Sequence, residues 1–276
     1  MVKPVLAVLG CLFRFVCLHV LQRSEESMPR WLCVPPLLLL VAGPGVAAPA
    51  FERPGLGLNP DLLGKYRIAI EQGLPDATLD MRSSPEITTL DFNTLLRLRV
   101  IPKMEIQVGI NSYRYQEYTT GKQSSELDGM GDSSLGLKLS LYRGDIFRAA
   151  LLGGMLLDTA SDAFSNEEDG SFMAISGGWW LDDRHQLQLS VRYDDRGNEK
   201  WTTVVPSWHA RLNEQWAVFL DAGLSRNDEN GDDNHRAGGG LTWMLTPTIQ
   251  FDLYGRGALD NDSVDNETGL GIAVAF

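Results

Sequence analysis

Cysteine is missing from residues 51–276; the chain's three, Cys11, Cys17 and Cys33, all precede residue 50. That stretch therefore holds neither a disulfide framework nor a thiolate metal site. Basic residues are scarce too, with 24 Lys+Arg against 36 Asp+Glu and a net charge of -12. Residues 1–50 contribute four basic and two acidic side chains, so the remainder carries 20 against 34. A chain this acidic repels phosphates and has no basic block to compensate, which excludes nucleic acid as a partner. Mean hydropathy is -0.13, low for a bundle of membrane helices, and no helical periodicity appears after residue 65. Yet with 43% hydrophobic residues and 7 Trp the chain is too apolar to be disordered.

The first fifty residues read as an address. Met28-Pro-Arg30 supplies a short basic region, Trp31 to Val41 an apolar run of signal-peptide length, and Ala48-Pro49-Ala50 a small-x-small cleavage site. The expected organisation is a signal region over 1–50, translated from Met28 and cut after Ala50. A periplasmic segment over 51–65 and a barrel over 66–276 follow. Residues 1–27 begin a second apolar stretch that Arg14, His19 and Ser24-Glu25-Glu26 break, which fits an upstream gene-start artefact or one long leader. Val8-Leu-Gly-Cys11 has the look of a lipobox, but the apolar run continues past it.

From there the chain alternates. Leu270, Ile272, Val274 and Phe276 interleave with Gly269, Gly271, Ala273 and Ala275. Met104 to Asn111, Leu135 to Tyr142, Leu187 to Tyr193 and Ile249 to Tyr254 show the same period of two. That period makes strands with one apolar face. Tight polar turns recur every few tens of residues, as in Val100-Ile-Pro-Lys103, Leu181-Asp-Asp-Arg184, Leu212-Asn-Glu-Gln215 and Leu245-Thr-Pro-Thr248, with Arg143-Gly-Asp145 a fifth. Longer, mostly acidic connections lie between them, at 118–132, 158–170, 195–199, 226–234 and 259–266. Short connections at one end and long ones at the other describe a single antiparallel up-and-down barrel. Twelve strands are expected, near 66–74, 86–100, 104–116, 133–143, 146–157, 171–181, 185–194, 200–212, 215–225, 235–245, 248–258 and 267–276.

One face is almost uninterruptedly apolar, with Trp208, Trp216 and Trp243 near strand ends; the other is rich in small residues such as Gly136, Gly223, Gly238, Gly240, Gly269 and Gly271. An apolar belt with aromatic rims suits a bilayer, and each strand is long enough to cross one when tilted. The expectation is a transmembrane barrel in the outer membrane of a Gram-negative bacterium. It would contact lipid and lipopolysaccharide, and the terminal strand ending in Phe276 would be presented to the barrel-assembly machinery.

Gly129-Met-Gly-Asp-Ser-Ser-Leu-Gly-Leu-Lys138 resembles the Gly-x-Gly-Asp…Gly-x-Lys segment of the family named for the MetA pathway of phenol degradation. The repeated turns and the Gly-Leu-Gly-x-x-Val-x-Phe end are similar too, and the likeness covers roughly residues 60–276. The resemblance implies an outer-membrane transporter-like barrel linked by name to aromatic compounds, with no catalytic residues to transfer.

Ser207 and His209, two apart on one strand, share the lumen side and make a distant candidate for lipid hydrolysis. A nucleophile needs an oriented base, and the pair faces away from lipid. The acidic loops Asp228–Asn234 and Asp260–Glu267 lack the spacing of a calcium loop. His185, His209 and His235 fall on different strands, and no helix follows Gly238-Gly-Gly240 to cradle a phosphate. No catalytic, metal or cofactor site is expected.

The lumen carries more information. Parity turns Arg97, Arg99, Lys138, Arg148, Arg192, Arg211, Arg236 and Arg256 inward, facing Asp91, Glu105, Asp221 and Asp252. Each would cost roughly 2–4 kcal/mol facing lipid at the midplane. Such charges either brace a closed barrel or set the selectivity of a channel. The expected function is passive passage of small molecules, aromatic compounds or small anions. The alternative is a structural or surface-interaction barrel without an open pore.

Overall fold

The computed structural model describes residues 50–197 and 199–276; the expectations placed on residues 1–49 lie outside them. Thirteen strands follow one another: β1 (Ile68–Asp80), β2 (Glu86–Ile101), β3 (Met104–Thr120), β4 (Gln123–Gly129), β5 (Ser133–Arg143), β6 (Phe147–Leu157), β7 (Gly170–Trp180), β8 (His185–Arg196), β9 (Glu199–Arg211), β10 (Trp216–Asn227), β11 (Asp233–Thr246), β12 (Ile249–Ala258) and β13 (Asn266–Ala275). Each pairs antiparallel with its neighbours, and β1 pairs with both β2 and β13, so the sheet closes on itself. Twelve strands form the wall. β4 stands outside the ring, because the lower half of β3 pairs with β5 through Met104↔Leu139 to Ile110↔Ser133, while its upper half pairs with β4. The expected 118–132 connection is thus largely a hairpin arm above the wall.

The first strand runs further than expected, to Asp80, past Pro75. Both of its ladders lapse just before Asp76 and resume there. Proline cannot donate to a ladder, so a bulge is where a strand tolerates it. At the other end of the wall the short turns are self-capped. Asp182 accepts the N–H groups of Arg184 and His185 at 2.7 Å each, which holds its carboxyl below the usual range.

Burial is inverted relative to a soluble protein. The largest fully buried side chains include Arg97, Lys138, Glu71 and Glu105, whereas Leu98, Leu137, Ile175, Leu189, Leu220 and Leu253 are exposed on the outside. Around the short-turn end the outer face carries a band of rings: Phe147 tilts against Trp179 at 4.9 Å, Trp216 stacks on Trp243 at 5.5 Å, and Trp243 meets Phe251 at 5.9 Å. Leucine outside, charge inside and an aromatic girdle are what a lipid bilayer selects in a closed barrel.

Candidate functional site

Residues 50–66 do not hang below the barrel as the sequence suggested. They run inside it. Segment 50–66 is Pro- and Gly-rich and makes no strand, so its backbone groups need partners from the wall, and charged wall residues provide them. The N–H groups of Glu52 and Arg53 donate to the Glu71 carboxylate on β1 at 3.1 and 2.8 Å. The Leu56 N–H reaches Asp221 on β10 at 3.1 Å, and the Leu58 N–H the Ser190 hydroxyl on β8 at 3.1 Å. The Leu63 N–H donates to Glu105 on β3. The carbonyls are met in turn: Pro54 by Arg256 on β12 at 2.8 Å and Asp61 by Lys138 on β5 at 2.8 Å.

Side chains complete the circuit. Arg53 forks onto Asp76 with two bonds of 2.9 Å and touches Asp252 at 3.1 Å. Glu52 accepts from Lys138 at 2.5 Å. Asp61 pairs with Arg148 on β6 at 2.7 Å. Leu58 packs with Leu152, Phe172 and Ala174, and Phe51, Leu63 and Tyr66 pack with Ala69, Ala273 and Ala275. Partners thus lie on every side of the wall, and the segment spans the lumen as a plug.

The wall's glycines make room for it. A Cβ on Gly271 would overlap the Arg53 guanidinium, one on Gly178 would press on Pro60 at 2.7 Å, and one on Gly223 would meet Leu56 at 3.1 Å. Below the plug, toward the short turns, a cavity of about 170 Å³ is bounded by Gln186, Gln188, Ser207, His209, Thr242 and Gln250.

The twelve charged residues expected in the lumen divide by position. Arg97, Glu105, Lys138, Asp221, Asp252 and Arg256 are buried there, and Arg148 meets the plug. Arg256 bridges Asp221 and Glu267 at 2.8 and 3.1 Å, and Arg236 reaches Glu267 at 2.9 Å. Toward the long loops Asp91 pairs with Arg114 at 2.7 Å, and Arg192 pairs with Asp194 at 2.6 Å while lying over the Phe172 ring. Arg99 also meets the inner segment, at the Gly64 and Lys65 carbonyls. Arg211 sits elsewhere, exposed at the rim and donating to the Asp183 carbonyl, at a strand end where an inward parity no longer means a place in the lumen.

Sequence reasoning passed over Glu71, Asp76 and Glu267 on the wall and Glu52, Arg53 and Asp61 on the plug. Parity could have found Glu71 and Glu267 once the extent of β1 and β13 was known, whereas the bulge before Asp76 shifts the alternation there. The plug had a fainter signal: Leu56, Leu58, Leu62 and Leu63 are too apolar for a solvated linker.

Ser207 and His209 do meet, Oγ to Nε2 at 3.1 Å, beside the cavity. Among the described residues no carboxylate accepts a hydrogen bond from the second ring nitrogen, so the orienting third member of a triad is lacking.

The architecture is that of outer-membrane channels. The COG4313 outer membrane channel from Pseudomonas putida F1 superposes with a TM-score of 0.58 at 11% identity, over 78% of this chain and 97% of that one. The KdgM porin and the NanC porin each give 0.50, at 7% and 9% identity, over 76% of this chain and 98% of theirs. At such identities the likeness is one of fold. No curated protein sequence matches the chain. A family model does match, over residues 51–276, and so takes in the plug together with the whole wall. This closed barrel, with the fold of outer-membrane channels, belongs to the family described as Putative MetA-pathway of phenol degradation.

Proposed function

We propose that the protein is a passive channel for small molecules in a Gram-negative outer membrane, closed at rest by its own residues 51–63. The observation that carries this is the way the plug is held. It is bound by hydrogen bonds and ion pairs to a polar wall, and its apolar packing is limited to Phe51 and Leu63 at its ends and Leu58 between them. A polar seat can exchange its partners for water when the segment leaves, whereas a leucine-packed core could not. The family's name points to aromatic compounds as permeants. A special preference for small anions has no support in the lumen, because its arginines are matched by carboxylates.

Lipid and lipopolysaccharide would surround the wall, and the last strand, ending in an exposed Phe276, is the surface offered to assembly machinery. The same plug also favours a second reading, a permanently closed barrel with a structural or surface role. Liposome swelling separates the two. Vesicles holding the intact chain should admit solutes slowly, and vesicles holding a chain lacking residues 51–63 should admit phenol- and sugar-sized solutes quickly. A deletion variant that inserts and shows heat-modifiable gel migration, yet admits nothing, would establish the closed barrel instead.

A further inference from the structure

The plug's first anchor is short of one positive charge. Among the described residues, Glu52, Glu71 and Glu105 share their site with Arg97 and Lys138. Arg97 lies 3.0 Å from Glu71, 2.8 Å from Glu105 and 3.5 Å from Glu52, and Lys138 lies 2.5 Å from Glu52. Four of these five side chains are fully shielded, and the fifth, Glu52, is 14% exposed. Arg99, the nearest further base on β2, is turned away to the Gly64 and Lys65 carbonyls. A buried carboxylate without a counter-charge is costly, so a third cation would stabilise a group of this kind.

The Ala50–Phe51 peptide bond lies at this cluster. The Ala50 carbonyl accepts from Arg97 Nη1 at 2.6 Å, and the same nitrogen is 3.0 Å from Glu71. The two N–H groups that follow Phe51, those of Glu52 and Arg53, both donate to Glu71. The Phe51 nitrogen is therefore one residue from the first of the two N–H groups that Glu71 accepts. Phe51 is itself 5% exposed and packed against Leu63, Tyr66 and Ala273. The preceding Ala48-Pro49-Ala50 is a sequence that a signal peptidase cuts.

We propose that hydrolysis of the Ala50–Phe51 bond supplies the missing cation: the new α-ammonium of Phe51 is a structural member of the plug. Water gives its hydroxyl to the Ala50 acyl carbon and a hydrogen to the Phe51 nitrogen. The peptide ending at Ala50 departs as a carboxylate, and the amine takes up a proton from solvent. Three carboxylates then face three cations. Arg97 loses the Ala50 carbonyl and keeps Glu71 and Glu105. Removal of the leader thereby tightens the seat of the plug, since an uncut chain leaves the cluster one charge short.

This rests on residues 51–63 being the plug, and its test does not depend on conduction. Intact mass and amino-terminal sequencing of protein extracted from outer membranes should give a start at Phe51. Four refolded chains covering 51–276 then compare a free amine with an Nα-acetyl group, each with Glu71 or with Glu71→Gln, by amide exchange over residues 52–63. Acetylation should speed that exchange roughly tenfold or more. Glu71→Gln should loosen the free-amine chain but restore the acetylated one, whose charges it rebalances. A start elsewhere than Phe51, an acetylated plug that exchanges no faster, or a Glu71→Gln effect of the same sign and size in both chains overturns the proposal. If these exchange results hold but the plug-deleted barrel admits no solute, the channel reading fails and this one stands.

Discussion

Arg53 on the plug and Asp76 on β1 meet through two parallel bonds of 2.9 Å, placed where the ladders of β1 resume after Pro75. The same guanidinium reaches Asp252 and the Leu270 carbonyl, and the Tyr254 hydroxyl donates to Asp76 at 2.8 Å. One plug residue thus joins the first strand to the last two. Removing one partner of a buried pair costs roughly 3–5 kcal/mol, because the other charge stays behind. Arg53→Ala should therefore unseat the plug on the order of a hundred- to a few-thousandfold more often. Amide exchange over 52–63 and the frequency of openings in planar bilayers should both rise. Adding Asp252→Asn to Arg53→Ala should recover part of the loss.

Charge selectivity should be weak. The five inward bases at plug level, Arg97, Lys138, Arg148, Arg236 and Arg256, stand against six wall carboxylates, Glu71, Asp76, Glu105, Asp221, Asp252 and Glu267, with Asp76 and Asp252 paired to Arg53 and Arg148 to Asp61 of the plug. A narrow lumen focuses the field of uncompensated charges, and here few are left. In a chain lacking residues 51–63 the reversal potential under a salt gradient should stay near zero. Arg148→Gln in that background should move it toward cations, because Arg148 has Asp61 of the plug as its partner.

Ser207 and His209 provide a negative control. Their hydrogen bond has no orienting acid and lies on the lumen side of the wall. Ser207→Ala should leave any esterase or lipase signal of the purified protein at the level of the unmodified chain. A loss of turnover on substitution would require a third residue that the described structure does not supply.

The β3–β4 arm should be dispensable for folding. Barrel closure uses the pairs from Met104↔Leu139 to Ile110↔Ser133, all below the arm. Replacing residues 121–129 with a short Gly-containing turn should preserve heat-modifiable migration and lower the thermal midpoint by no more than a few degrees. Collapse of folding would mean that the arm helps to set the register of β3 on β5.

The wall was legible because alternation acts locally. The expected strand 104–116 became Met104–Thr120, 171–181 became Gly170–Trp180 and 185–194 became His185–Arg196. Away from the bulges each inward side chain follows from its neighbours two residues away. Two ends were misjudged for a local reason as well, since Pro75 cut short the reading of β1 and turn signals hid β4. The plug was illegible for a different reason. Segment 50–66 has no period of its own, and its conformation is dictated by contacts such as Arg53 with Asp252, 199 positions apart. The glycines at 223 and 271 were visible as small residues of the polar face. What they leave space for was not, because no residue near them in sequence fills it.

The separation of Arg53 from Leu270, 217 positions along the chain, has a consequence for how the molecule is made. The plug enters the synthesis of the protein early, yet its partners on β12 and β13 come last. Contacts so distant in sequence form late, after the loss of chain entropy that precedes them. Phe51 and Leu63 rest against Ala273 and Ala275, on the strand whose pairing with β1 closes the ring. The seated plug therefore stitches together the two ends of the wall, across the seam where an unfinished barrel would part. A chain that has lost its plug should reveal the fault first during assembly, as a ring that closes more slowly, before it reveals it as a leak.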